Sequence, residues 1–448
     1  MKIFSIFSKY EHSSIFILII FCSLILVIDS VIVSVYSNIT KDPEPFFNSL
    51  LFTFLLICYV LISFIFIRYS RNGLYILTPS KNIFKFIRWI IIPNQFIISL
   101  FLIYISIQIF VFKNYELLLL SLVIYFSYIS AIGYLTILTY LFITWYKANR
   151  NFIILIYVIV FSMIILNLIL SLVYISNELF NHDSIVKLRH IKIMISEFSF
   201  YGSTLRELIS LNTYFSLISF IGLWIPTIFL LQTYSKRVGK IKYLILICIP
   251  LLYFLLPFLI YEFSLLDNMF LEYGRQFNLF ISIFLGPYQQ VGGILFGFTF
   301  LILVKKTEQK ETKILLRTAG IGITLLFGST VITNSFITAP PFGLITISFV
   351  GIASYMLLIG IFTLSIQLSK NYIIRRELNT HLKDQFNLFN NIGLAETERL
   401  LERKVKNILK TTSLLQEEQS KNNIEDYREF IDEVLQELEN RRKLKGKL

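Results

Sequence analysis

Along the first 370 positions apolar residues run on in long stretches, separated by short charged or polar segments. A hydrocarbon core of roughly 30 Å requires about 20 mostly apolar residues per helix. The runs therefore predict ten transmembrane helices, at about 14 to 36, 46 to 67, 89 to 112, 117 to 145, 152 to 175, 214 to 233, 243 to 263, 281 to 304, 318 to 334 and 343 to 368. The fold class that follows is all-α: a polytopic transmembrane helix bundle of about ten spans in residues 1–370, with a cytosolic helical tail in residues 371–448. The eighth run contains Gly286, Pro287, Gly292, Gly293 and Gly297 and is expected to kink or to begin as an interfacial segment, and the ninth is short and leads into Pro340 and Pro341.

Two segments break the pattern. Between 177 and 212, Ile185, Leu188, Ile191, Met194, Ile195 and Phe198 recur three and four apart among charged residues, which predicts an amphipathic helix in an external loop. From Asn371 onward the composition returns to water, with 15 basic and 14 acidic residues in 78. Leu401, Val405, Ile408 and Leu415 form one apolar stripe there, and Ile424, Tyr427, Ile431, Val434 and Leu438 another. An isolated amphipathic helix of this size is marginal in water. The stripes must cover each other, a second tail or a partner, with Val405, Ile408, Ile431 and Leu435 near the contact.

Composition closes off other classes. Of the 448 residues 56% are hydrophobic and only 15% charged, so the chain has too little polar surface to be a soluble enzyme. Cys22, Cys58 and Cys248 each sit inside an apolar run without ligand spacing and read as small hydrophobes rather than as disulfide or zinc partners. The apolar stretch after Lys2 and Lys9 is too long for a signal-peptide core and reads as a retained first span. The net charge of +13 matters through its placement. With ten spans and both termini cytoplasmic, nineteen basic and three acidic residues of the non-tail segments fall inside, against seven basic and ten acidic outside. That is the asymmetry which positive-inside orientation demands, and removing one span would invert every later loop and destroy it.

The run PPFGLITISFVGIASYMLLIGIFTLSIQLSK (Pro340 to Lys370), followed by an Arg-rich helix start and IGLAETERLLERKVKNILK (Ile392 to Lys410), resembles an uncharacterised family of multi-pass membrane proteins of ammonia-oxidising archaea. The resemblance covers about 100 residues of the C-terminal third. It implies an archaeal cell (plasma) membrane and carries no catalytic residues with it.

Chemistry is sparse. Asp29, in LVIDSVIV, is the only charge deep within a span. A carboxylate in lipid costs a few kcal/mol, so Asp29 should face the bundle interior or a cavity, unless it reaches the outer interface or pairs with Ser30 or Ser34. Gln289 and Gln290 in GPYQQVGG, together with Asn167, complete a candidate intramembrane polar site. Asn94, Gln95, Gln108 and Asn334 read as hydrogen-bonding groups between helices. Asn38, Ile39 and Thr40 form a glycosylation acceptor on the external side. His182, Asp183, His190 and Glu197 lack metal-ligand spacing, His381 lacks the context of a phospho-acceptor histidine, and no GxxxxGKS or GxSxG motif occurs. The sequence thus predicts no catalytic residue, no metal and no cofactor. The partners it implies are the lipid bilayer and, through the tail, a cytosolic protein or a second copy, with no nucleic acid. Two functions fit: a non-enzymatic membrane sensor or assembly platform, or a transporter or channel for a small solute or ion that uses Asp29 and the segment from Gly286 to Gly293. The topology has a direct test. In a background without the three native cysteines, an impermeant thiol reagent applied to intact cells should label His190→Cys and leave Tyr75→Cys untouched; the opposite pattern would invert the topology.

Overall fold

The structure, a computed structural model, describes residues 13–38, 45–77, 82–112, 114–148, 150, 152–181, 185–187, 211, 214–226, 228, 240–262, 277, 280–281, 283–285, 288, 293, 297, 310–329, 341–370, 392 and 395–396. The long apolar runs form helices: α1 (Ser13–Asn38), α2 (Pro45–Leu77), α3 (Asn82–Phe112), α4 (Leu117–Ala148) and α5 (Phe152–Asn181). These are followed by α6 (Tyr214–Pro226), α7 (Lys240–Glu262), α8 (Lys310–Ser329) and α9 (Leu344–Lys370). Among the described residues, five stretches, within α2, α3, α4, α5 and α9, are long and apolar enough to cross a membrane.

Helix ends depart from the apolar windows for a physical reason. A window stops where side chains turn polar, whereas a helix stops where its backbone bonds fail. Hence α2 continues past Arg68 and Arg71 to Leu77, and α3 begins at Asn82, ahead of Lys85 and Arg88. The ninth run shows the same effect: α8 starts at Lys310 rather than near 318, because Lys, Glu and Arg lower hydropathy but favour helix. The loop expected at 177 to 212 also differs from its reading. Helix α5 runs on to Asn181, and Ile185, expected within an amphipathic helix, instead opens strand β2 (Ile185–Lys187). It pairs antiparallel with β1 (Asn114–Glu116), Tyr115 opposite Val186, so that the α3–α4 link offers its backbone groups to a β-branched segment. The remainder of the predicted loop helix, and the tail stripes with Val405, Ile408, Ile431 and Leu435, lie outside the described residues.

One helix occupies the centre. The apolar stretches of α2 to α5 bury 44–56% of their residues and turn one face outward, as with Phe54, Ile57 and Leu61 on α2. The stretch Leu344–Ile366 of α9 is buried over its entire length. Contacts fix the directions of the helices around it. Phe52 meets Phe342 and Tyr59 meets Phe349, an offset that stays constant, so α2 runs parallel to α9. Ser127 bonds to the carbonyl of Ile347 and Tyr134 packs on Tyr355, so α4 is parallel as well. Helix α8 runs antiparallel, with Gly322 against Leu357 and Gly360 against Ala319.

The α8–α9 contact is made by backbone. A β-carbon added to Gly322 would lie 2.6 Å from the amide nitrogen of Leu357, and one added to Gly360 would lie 2.5 Å from that of Ala319. Small residues permit this approach, which is how apolar helices gain packing energy where hydrophobic exclusion is weak. Gly322→Leu and Gly360→Leu are each expected to cost at least about 1–3 kcal/mol, since the clash is with backbone. Leu61→Ala on the outward face of α2 should change stability by no more than about 0.5 kcal/mol. Thermal unfolding of the purified protein in detergent compares the three.

Candidate functional site

Helix α9 begins inside the bundle. The offset between α4 and α9 sets Leu344 level with a position about seven residues into α4, or about 10 Å below its Leu117 end. The turn Pro341–Gly343 that feeds the helix is buried too. The first amides of any helix have no intrahelical acceptor. Water normally serves them, and here protein does.

The acceptor is Asp29. Its carboxylate, fully buried, takes the Gly343 N–H on Oδ1 at 3.0 Å and the Thr346 N–H on Oδ2 at 3.1 Å. The Thr346 hydroxyl donates to Oδ2 at 2.5 Å. Leu344 N–H closes a turn on the carbonyl of Pro341 at 3.3 Å, and Ile347 N–H makes the first helical bond, to Gly343 at 3.0 Å. Asp29 therefore does for α9 what a capping-box side chain does for its own helix, but from another helix. An anion there also meets the positive end of the helix dipole. Gly343 has φ 86°, a conformation that costs glycine little and most residues more.

Two further helices hold the same turns. Ser127 of α4 donates to the Ile347 carbonyl at 2.8 Å, and the Tyr59 hydroxyl of α2 donates to the Ser348 carbonyl at 3.3 Å. Gln95 of α3 donates its amide to the Tyr59 oxygen in turn. The start of α9 is thus tied to α1, α2 and α4 directly and to α3 through one intermediary.

Among the described residues, Asn167 does not join this cluster. Asn167 is buried on α5, its Oδ1 has no hydrogen-bond partner, and no hydrogen bond links it to Asp29. Gln289 and Gln290 lie outside the described residues. Gly293, at the end of the same segment, sits on α8: a β-carbon there would meet Phe327 Cβ at 2.8 Å and the Thr324 carbonyl at 2.9 Å. Asn38 is the last residue of α1. Cys22 and Cys58 are buried and unpaired, and no metal-ligating cluster occurs among the described residues.

No family model, no curated protein and no solved structure matches this chain. Its chemistry has to be read from its own residues.

A second buried carboxylate was hidden among the tail charges. Glu396, fully buried, accepts the indole N–H of Trp145 at 3.0 Å. Ile392 and Ala395 are buried beside it. The available sequence signal was the spacing of Ile392, Ala395 and Glu396 on one helix face, which the surrounding charges obscure.

Removing the cap has a calculable sign. Asp29→Leu strands two buried amides and a hydroxyl, so a loss of about 2–3 kcal/mol is expected. Asp29→Asn keeps one acceptor oxygen and should lose less. Thermal unfolding should rank wild type above Asn above Leu; a Leu variant more stable than wild type would mean that the cap does not hold α9.

Proposed function

We propose that this is a multi-pass membrane sensor or assembly platform of about ten spans, with both termini and the helical tail in the cytoplasm. It acts without catalysis, and α9 couples the bundle to the tail. The observation that carries the reading is the enclosure of α9 over its whole apolar length, with its start tied to Asp29 on α1. A helix held this way responds as a unit when its surroundings shift, and it leads at Lys370 into the tail. The parallel course of α2, α4 and α9, and the reversed course of α8, agree with second, fourth, tenth and ninth spans that alternate in direction. The resemblance at Pro340 to Lys370 supports an archaeal plasma membrane as the location.

The transporter reading asks Asp29 to bind a solute ion or relay a proton. Its carboxylate is instead engaged by three donors of α9 and its preceding turn. A helix N-terminus inside a membrane protein favours anions. Here the anion is the protein's own.

Two measurements on the full-length protein in lipid decide between the readings. In the sensor reading Asp29→Leu should raise hydrogen exchange severalfold in the last turns of α9, more than 20 residues from the substitution's contact, while Leu61→Ala leaves it unchanged. In proteoliposomes under an imposed proton or sodium gradient, a flux that wild type supports and Asp29→Asn abolishes would replace the sensor reading with transport.

A further inference from the structure

The described part of the tail comes back to the bundle at one place. Ile392, Ala395 and Glu396 are helical and buried, and residues three and four apart share a helix face. Opposite that face stands Trp145, in the last turn of α4 and itself fully buried. Its ring meets Phe142 edge-on at 5.2 Å between centroids, and Phe142 stacks on Tyr157 of α5 at 5.4 Å. The indole is thereby fixed, with its single N–H aimed at Glu396 Oε2.

We propose that this end of α4 and α5 is a docking seat for the chain's own segment 392–396, and that Trp145 and Glu396 form a releasable latch on the tail. The seat selects a helix face of one kind. A buried indole N–H requires an acceptor, which Glu396 provides. Ala395 is small enough to let the helix approach, and Ile392 adds apolar contact. A carboxylate taken out of water is costly unless it is hydrogen-bonded, and the indole supplies such a bond, so withdrawing it weakens the hold on the segment. A movement of α4 that withdraws Trp145 releases the tail, and α4 is the helix whose Ser127 grips the start of α9. The latch rests on the sensor-platform reading, since it supplies that reading with an output.

The test uses full-length protein in lipid nanodiscs, without native cysteines and with Ile392→Cys as reporter for a polar maleimide. Ile392 is enclosed when docked, so labelling should be slow. Trp145→Phe and Glu396→Ala should each speed it about tenfold or more, the scale of losing a hydrogen bond to a charged group. Glu396→Gln, which keeps a carbonyl for the indole, should stay near the starting rate. In a Trp89→Phe, Trp224→Phe background, Trp145 emission should shift to longer wavelength in the Glu396→Ala protein. Unchanged labelling and emission in both disrupting variants, with melting temperatures intact, would overturn the latch. So would a Gln variant as fast as Ala. Either failure leaves the long-range effect of Asp29→Leu on α9 standing, so the latch and the sensor reading fail separately.

Discussion

A helix that begins in an apolar interior must find acceptors for amides that water would otherwise serve. In this protein the demand falls on the start of α9, and the carboxylate of Asp29 takes the amides of Gly343 and Thr346 together with the Thr346 hydroxyl. The arrangement is reciprocal. A buried carboxylate without donors costs several kcal/mol, and so do orphaned amides at a helix start, but brought together each removes the other's penalty. This dependence fixes the height of α9 in the bundle, because sliding the helix by one turn would break all three bonds.

Fixing the height has consequences for packing. Gly322 and Gly360, lacking a β-carbon, let the backbone at Leu357 and Ala319 approach closely, and that register exists at one vertical position of α9 against α8. Ser127 and Tyr59 reach the carbonyls of Ile347 and Ser348 for the same reason. The small and hydroxylic side chains of α9, including Thr346, Ser348, Gly351, Ser354 and Gly360, suit a helix surrounded on all sides by protein. The outward faces of α2 to α5 carry Leu, Ile and Phe, as a lipid-facing surface does.

Much of this architecture was legible in the sequence. The apolar runs located α1 to α5, α7 and α9 to within a few turns, because run length is a direct consequence of the solvent around a helix. Hydropathy failed where charge and helix propensity pull apart, at the Lys310 start of α8, and where a local period of three and four competes with strand pairing, at Ile185. Asp29 stood out as an anomaly, but its partner lies 314 residues away in the sequence, a separation no local pattern encodes. Glu396 was invisible for the opposite reason: among the many charges of the tail, one more acid carries no signal until Trp145 is seen above it.

The separation between cap and helix also bears on how the protein is made. Synthesis runs from the N-terminus, so Asp29 is made long before Gly343 and Thr346 exist. Until then its carboxylate lacks the donors that the folded protein gives it. Helix α9 and the turn before it bring those donors, so a ribosome that stalls before Gly343 leaves a nascent chain whose Asp29 still lacks them.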